Sequence, residues 1–196
     1  MFRKRQYIRN IGAKCISRLG FSTVSVDKQG AHTVTRSLGP DLDVAVLGHG
    51  GAPLGDLYTK LKNSEAVESV EAAHDRGIAY YDTSPWYGVG LSESRMGAGL
   101  HGVPRQSFNF QTKVGRHLVP DPDAKNGTKV GWIGGFHMGI KFDYSAGGFE
   151  KQLEGSLQRT GIGYVDSLVI HDLEPSPRAI EGRGVGWGWV GVSRGE

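Results

Sequence analysis

Residues 79–93 read AYYDTSPWYGVGLSE. An apolar run ends on the carboxylate of Asp82, breaks at Ser84-Pro85, and sets Tyr87 five residues past the acid. Burial penalises an ionised side chain unless it is paired or hydrogen-bonded, so packing gives no reason for a strand to end on Asp. IAYYD (78–82) is apolar on both faces, as in a covered parallel strand. The stretch predicts a strand whose exit carries chemistry.

The flanks repeat the pattern. Upstream, DLDVAVLGHGGAPLG (41–55) gives a short strand from Val44 to Leu47 and then a glycine-rich loop. A helix begins at Asn63: Asn63 or Ser64 can cap its free amides, and Ala66, Val67, Val70 and Ala73 share one face. Gly77 stands where a left-handed terminal residue is wanted. Downstream, 91–100 reads as a helix, 107–113 as a strand and 114–142 as a polar, glycine-rich excursion. Phe149, Leu153 and Leu157 then mark a helix ending at Gly161, and YVDSLVIH (164–171) is a fourth strand. Strands alternating with helices predict an α/β fold with a parallel sheet. An open doubly wound sheet and a closed barrel both satisfy that pattern. A dinucleotide-binding Rossmann loop is disfavoured, because Pro53 replaces the third glycine after Gly48 and Gly50, and the helix starts too late to hold a pyrophosphate.

Asp82, Lys113 and His171 close the second, third and fourth strands, and Tyr87 follows the second. Parallel strands present their carboxyl ends along one edge, so the four side chains are expected on one rim. A free phenol titrates near 10, too high for ready proton exchange at neutral pH. A neighbouring ammonium favours its ionised form, and a carboxylate holds that ammonium in place. Tyr87 reads as the acid/base, Lys113 as its tuner, Asp82 as the lysine's partner and His171 as the group that orients a substrate oxygen. Taken singly, each has a plainer reading: a turn cap, a loop aromatic, a solvated charge and a satisfied strand-end pair. His171-Asp172 also matches half of a metal-hydrolase pattern, but a second histidine at suitable spacing is lacking, so no metal is expected.

These motifs together resemble the aldo-keto reductase superfamily. Asp82-Thr-Ser-Pro-Trp-Tyr87-Gly with Ser92-Glu93, Thr112-Lys113, His171 and the loop Gly50–Gly55 match its first four strand exits, over about residues 37–175. TKVGRHLVP, SLQRTGIGYVDSLVIHD and GVGLSE are most similar to the sugar-oxidising, D-threo-aldose 1-dehydrogenase (L-fucose dehydrogenase-like) branch, near L-galactose dehydrogenase. The resemblance implies a (β/α)8 TIM barrel with Asp82, Tyr87, Lys113 and His171 as catalytic tetrad. It implies NAD or NADP as cofactor, with Gly51, Ala52 and Asp82 toward it and Trp86 and His171 toward a sugar or aldehyde substrate. The implied reaction oxidises an aldose of fucose, arabinose or galactose type at C1 to its lactone.

A whole barrel takes about 250 residues, whereas 158 follow residue 38. The expectation is therefore the N-terminal half of the barrel, strands one to four. Its first and fourth strands would be open edges through which the chain self-associates, and its activity would be weak or absent. Gly191-Val192-Ser193 is similar to the family's fifth-strand end, with Arg194 where an asparagine is usual. Residues 176–196 otherwise form a Gly/Trp-rich tail, with a weak strand at 189–192. A non-catalytic interaction protein, or a truncated gene product without enzymatic role, is the alternative.

The formal net charge is +3, but residues 1–38 hold eight of the 23 basic residues and a single acid, Asp27. The remainder is net acidic, so neither nucleic acid nor a membrane is an expected partner. Residues 1–36 form a basic leader, expected to be disordered and to direct the chain to mitochondria, with plastid or cytoplasm as alternatives. The single cysteine, Cys15, lies in this leader and excludes an intramolecular disulfide.

Overall fold

The structure is a computed structural model that describes residues 23–26, 32–39, 42–124, 132–172 and 190–191. Residues 1–22 of the leader, with Cys15, and the tail apart from residues 190–191 lie outside the described residues.

One strand lies within the expected leader and a second begins there. β1 (Thr23–Val26) pairs antiparallel with β2 (His32–Gly39), which pairs in turn with β3 (Leu42–Ala45). Alternating Thr and Val in TVSV and HTVTRS suit a pleated strand. This sheet corrects the first strand. Val44 and Ala45 belong to the antiparallel β3, and the following Leu47 is 71% exposed. The first parallel strand is instead β4 (His49–Gly50), where glycines let the backbone run close to Tyr80 and Asp82.

From β4 the chain runs through a 3-10 turn (Ala52–Gly55), α1 (Asn63–Asp75), β5 (Tyr80–Asp82), α2 (Leu91–Gly99) and β6 (Asn109–Val114). The expected excursion contains an antiparallel hairpin, β7 (Arg116–Pro120) with β8 (Met138–Phe142). Its pairing joins segments separated by a long loop, so no short turn signal marked it. α3 (Ala146–Thr160) and β9 (Ser167–Ile170) complete the alternation.

β4, β5, β6 and β9 pair in parallel, with His49 opposite Tyr81, Asp82 opposite Gln111 and Lys113 opposite Val169. That order is the first half of a (β/α)8 sheet. Beyond β9 lies β10 (Val190–Gly191), antiparallel to Ser167 and Leu168. The expected open edge at the fourth strand is therefore partly occupied. A fifth barrel strand would run parallel, so Gly191 does not take that place.

Strand alternation divides the side chains. Tyr81 and Phe110 turn toward the helices and are fully buried in a cluster with Leu54, Ala66, Val70, Met96 and Leu100. Burying a side chain such as Val70 contributes about 1.5–3 kcal/mol. The opposite face is polar. Tyr80 Oη and Ser167 Oγ both donate to Gln111 Oε1, and Gln111 Nε2 donates to Asp82. Because the Asp82 carboxylate can only accept, the NH2 end of the Gln111 amide must meet it, which leaves Oε1 for the two hydroxyls.

The N-cap of α1 is Lys62, not Asn63 or Ser64; its N–H donates to Glu65 Oε2 at 3.3 Å. Asn63 is diverted by a stronger demand. Arg95 is buried and needs acceptors, which Asn63 Oδ1, Leu54 O, Leu61 O and Asp56 Oδ1 provide, the last at 2.6 Å. Gly77 and Gly161 end their helices with φ of 84° and 69°, the left-handed geometry expected of them.

Candidate active site

The loop after β5 is held by backbone contacts too close for a side chain. A Cβ on Gly55 would lie 2.5 Å from Gly88 N and from Tyr87 C, which seats the tyrosine's loop on the 3-10 turn. Gly88 and Gly90 have φ of 62° and 102°, and the buried Val89 is itself at 45°. A non-glycine residue there costs on the order of 1–3 kcal/mol, offset by the packing that holds it.

Ser92 and Glu93 brace the loop from α2. Ser92 Oγ donates to Gly51 O at 2.7 Å and meets Thr83 Oγ1 at 2.8 Å. Glu93 is fully buried, accepting from Thr112 Oγ1 at 2.8 Å and Arg159 Nε at 2.6 Å. The pair matched in the sequence thus serves as the joint between the second exit loop, β6 and α3.

The four expected site residues converge. Lys113 Nζ donates to Asp82 Oδ1 at 2.8 Å and Oδ2 at 2.7 Å, and to Thr83 O at 3.0 Å. The same ammonium stands 4.8 Å from the centre of the Tyr87 ring. The Tyr87 ring meets the His171 imidazole edge-to-face at 5.6 Å. His171 Nδ1 lies 2.7 Å from Ser84 Oγ, and Ser84 Oγ accepts from Trp86 N.

His171 is buried, and its pKa is lowered from 6.5 to about 4. Burial is the main cause, followed by the Arg116 cation; Lys113 acts in the same direction, while Asp172 and Asp82 oppose it. The imidazole is therefore neutral at pH 7. A neutral imidazole that carries its single proton on Nε2 can accept the Ser84 hydroxyl at Nδ1.

Trp86 is placed differently from a free stacking platform. The Arg116 guanidinium covers its ring at 4.4 Å, and Trp132 meets it edge-on at 6.5 Å. Trp132 also packs on Tyr87 at 5.8 Å. The sequence reading missed Trp132 because its loop has no period. The loop is tied down by Ile133 N donating to Asp56 O and Phe136 N donating to Gly88 O. Ser84, Gln111 and Arg116 were missed as well. Ser84 lies inside the opening stretch and Arg116 inside TKVGRHLVP, whereas Gln111 had no local signal.

Of the residues expected toward a cofactor, Gly51 gives its N–H to Asp82 O at 2.7 Å and so contributes shape rather than a donor. Ala52 opens the 3-10 turn. At Gly50 a Cβ would meet nothing within 4 Å, which leaves open space beside Asp82.

Comparison with known proteins identifies the fold and the family. The chain is 39% identical over 137 residues to D-threo-aldose 1-dehydrogenase of a Pseudomonas species, covering 68% of this chain and 41% of that protein. It is 37% identical over 142 residues to L-galactose dehydrogenase of Arabidopsis thaliana, covering 71% and 38% respectively. It thus spans about two-fifths of these relatives' length. Among solved structures it superposes on an aldo-keto reductase from Bacillus halodurans with TM-score 0.55 and 28% identity, covering 71% of this chain and 40% of that one. A glycerol dehydrogenase from Gluconobacter oxydans gives TM-score 0.53 and 27% identity over 70% of this chain and 38% of that one. Residues 46–182 match the profile of the Aldo/keto reductase family, and with four parallel strands delivering Asp82, Tyr87, Lys113 and His171 to one rim, this chain belongs to that family.

Proposed function

We propose that this chain carries the proton-transfer half of an NAD(P)-dependent aldose dehydrogenase site, acting at C1 of a fucose-, arabinose- or galactose-like sugar. The observation that carries the reading is the Lys113 ammonium, gripped by both oxygens of Asp82 and standing 4.8 Å from the Tyr87 ring centre. Lys113 stabilises negative charge on the phenol oxygen, and Asp82 keeps the ammonium from swinging away. Neutral His171, with its proton on Nε2, donates to the sugar's C1 oxygen and orients it. Tyr87 takes the hydroxyl proton as the C1–O bond becomes a carbonyl, and the sugar leaves as the lactone. NAD(P)+, when bound, supplies the acceptor for the hydride leaving C1.

The test is a chimera in which residues 42–172 replace the matching segment of the Pseudomonas D-threo-aldose 1-dehydrogenase. Formation of NAD(P)H with L-fucose or D-arabinose is expected from the chimera and is lost, by about 100-fold or more, with Tyr87→Phe. A folded chimera that is inactive, or unaffected by Tyr87→Phe, refutes the reading.

A second reading, an interaction module, is favoured by Val46 and Leu47. They are 58% and 71% exposed next to β4, beyond which no further strand pairs among the described residues. Self-association through that margin would appear as a concentration-dependent mass in light scattering, independent of cofactor. Mitochondrial targeting is proposed on the Arg-rich leader alone, and microscopy of a tagged chain with and without residues 1–36 tests it.

A further inference from the structure

Gly115, at φ 107°, turns the chain immediately after β6; a Cβ there would lie 2.6 Å from Tyr144 Cε1. The turn returns Arg116 to the rim, where its guanidinium lies over Trp86 at 4.4 Å and 5.8 Å from the centre of the Phe142 ring. Its side chain is 9% exposed, and Nη2 donates to Asp172 Oδ2 at 3.1 Å. That same carboxylate oxygen stands 3.5 Å from His171 Nε2. Arg116 Nε is buried and makes no hydrogen bond among the described residues, so the stack and the bond to Asp172 define its place.

We propose that the Arg116–Asp172 ion pair tunes the charge of the buried His171: Arg116 is a positioning residue that engages the Asp172 carboxylate and, together with burial, holds the imidazole uncharged beside Tyr87. The charged groups acting on His171 are Asp82 from β5, Lys113 from β6, Arg116 from β7 and Asp172 next to it in the chain. Among the described residues it also meets the Tyr87 ring and the Ser84 hydroxyl. Lys113 and Asp82 are bonded to each other through both carboxylate oxygens, so their effects largely offset. Beyond burial, the largest cause, the balance of charges then falls to Arg116 and Asp172. A carboxylate this near an imidazole would ordinarily draw a proton onto it. Here its oxygen is committed to a guanidinium whose own charge repels that proton, and burial adds in the same direction. Such an imidazole presents one N–H to a substrate oxygen and does not compete with Tyr87 as the proton carrier. That consequence rests on His171 belonging to the catalytic group.

The test reads no turnover, so it stands or falls separately from the dehydrogenase assignment. The His171 Cε1–H resonance of the purified chain, assigned with His171→Gln, is followed by NMR against pH. Arg116→Gln is expected to raise its midpoint by about one unit or more, and Asp172→Asn to lower it. Opposite signs are the signature of charge control, since simple loosening of the site would move both variants up toward the ordinary histidine value. A midpoint unmoved by Arg116→Gln, or raised by both variants, overturns the proposal. Should Arg116→Gln fail to fold, Asp172→Asn decides alone, because Asp172 is 69% exposed; a midpoint that does not fall overturns the proposal.

Discussion

Replacing His171 by glutamine should flatten the acid limb of this protein's stability. An imidazole in the unfolded chain titrates near 6.5, and in the folded chain at about 4. Between those values the unfolded state binds a proton that the folded state refuses. The stability tied to neutral His171 is therefore complete above 6.5 and is lost as pH falls toward 4. At about pH 5 the unfolded form is favoured about 30-fold by this group alone, or about 2 kcal/mol. Carboxylates also titrate in this range, but they do so in the wild type and the variant alike, and the difference isolates His171. Glutamine leaves a polar group for Ser84 Oγ to meet and cannot titrate. Urea denaturation followed by tryptophan fluorescence at about pH 7.5 and about pH 5 supplies the measurement. The wild type should lose about 2 kcal/mol more than His171→Gln between the two conditions. Equal losses would refute the inference that His171 is buried and neutral.

Two further predictions concern the frame around the site. Arg159→Leu strands the fully buried Glu93 carboxylate and should cost about 3–5 kcal/mol in urea denaturation, while Glu93→Leu with Arg159→Leu should cost less than the sum of the single changes. Met96→Ala opens a cavity beneath Gly51 and should lower stability by about 2–5 kcal/mol, read in the same assay.

Much of the site could be read locally. The apolar approach to Asp82, the breaker Ser84-Pro85, and Lys113 and His171 at the ends of strand-like runs are all features of short windows. The structure places all four side chains together because parallel pairing puts those windows in register. Other parts had no local signature. Trp132 reaches Tyr87 from a glycine-rich loop that is anchored by its own backbone to Asp56 and Gly88. Asn63 looked like a cap, yet the buried Arg95 claims its carboxamide. Val44 looked like the first parallel strand because it is apolar and β-branched, a preference that an antiparallel hairpin satisfies equally well.

The amino-acid order by itself determined the alternation of strands and helices, the glycines that end two of the helices, and which four side chains stand at the strand exits. These follow from steric preference and periodicity, which act over a few residues. Tertiary structure decided that Val190–Gly191 runs antiparallel to the fourth strand, that Glu93 is a buried joint, and that His171 is neutral. Each depends on groups far apart in the chain, as with Ser84 and His171, 87 positions apart and 2.7 Å from each other. Pairing direction and charge state are properties of such meetings, and no stretch of sequence contains them.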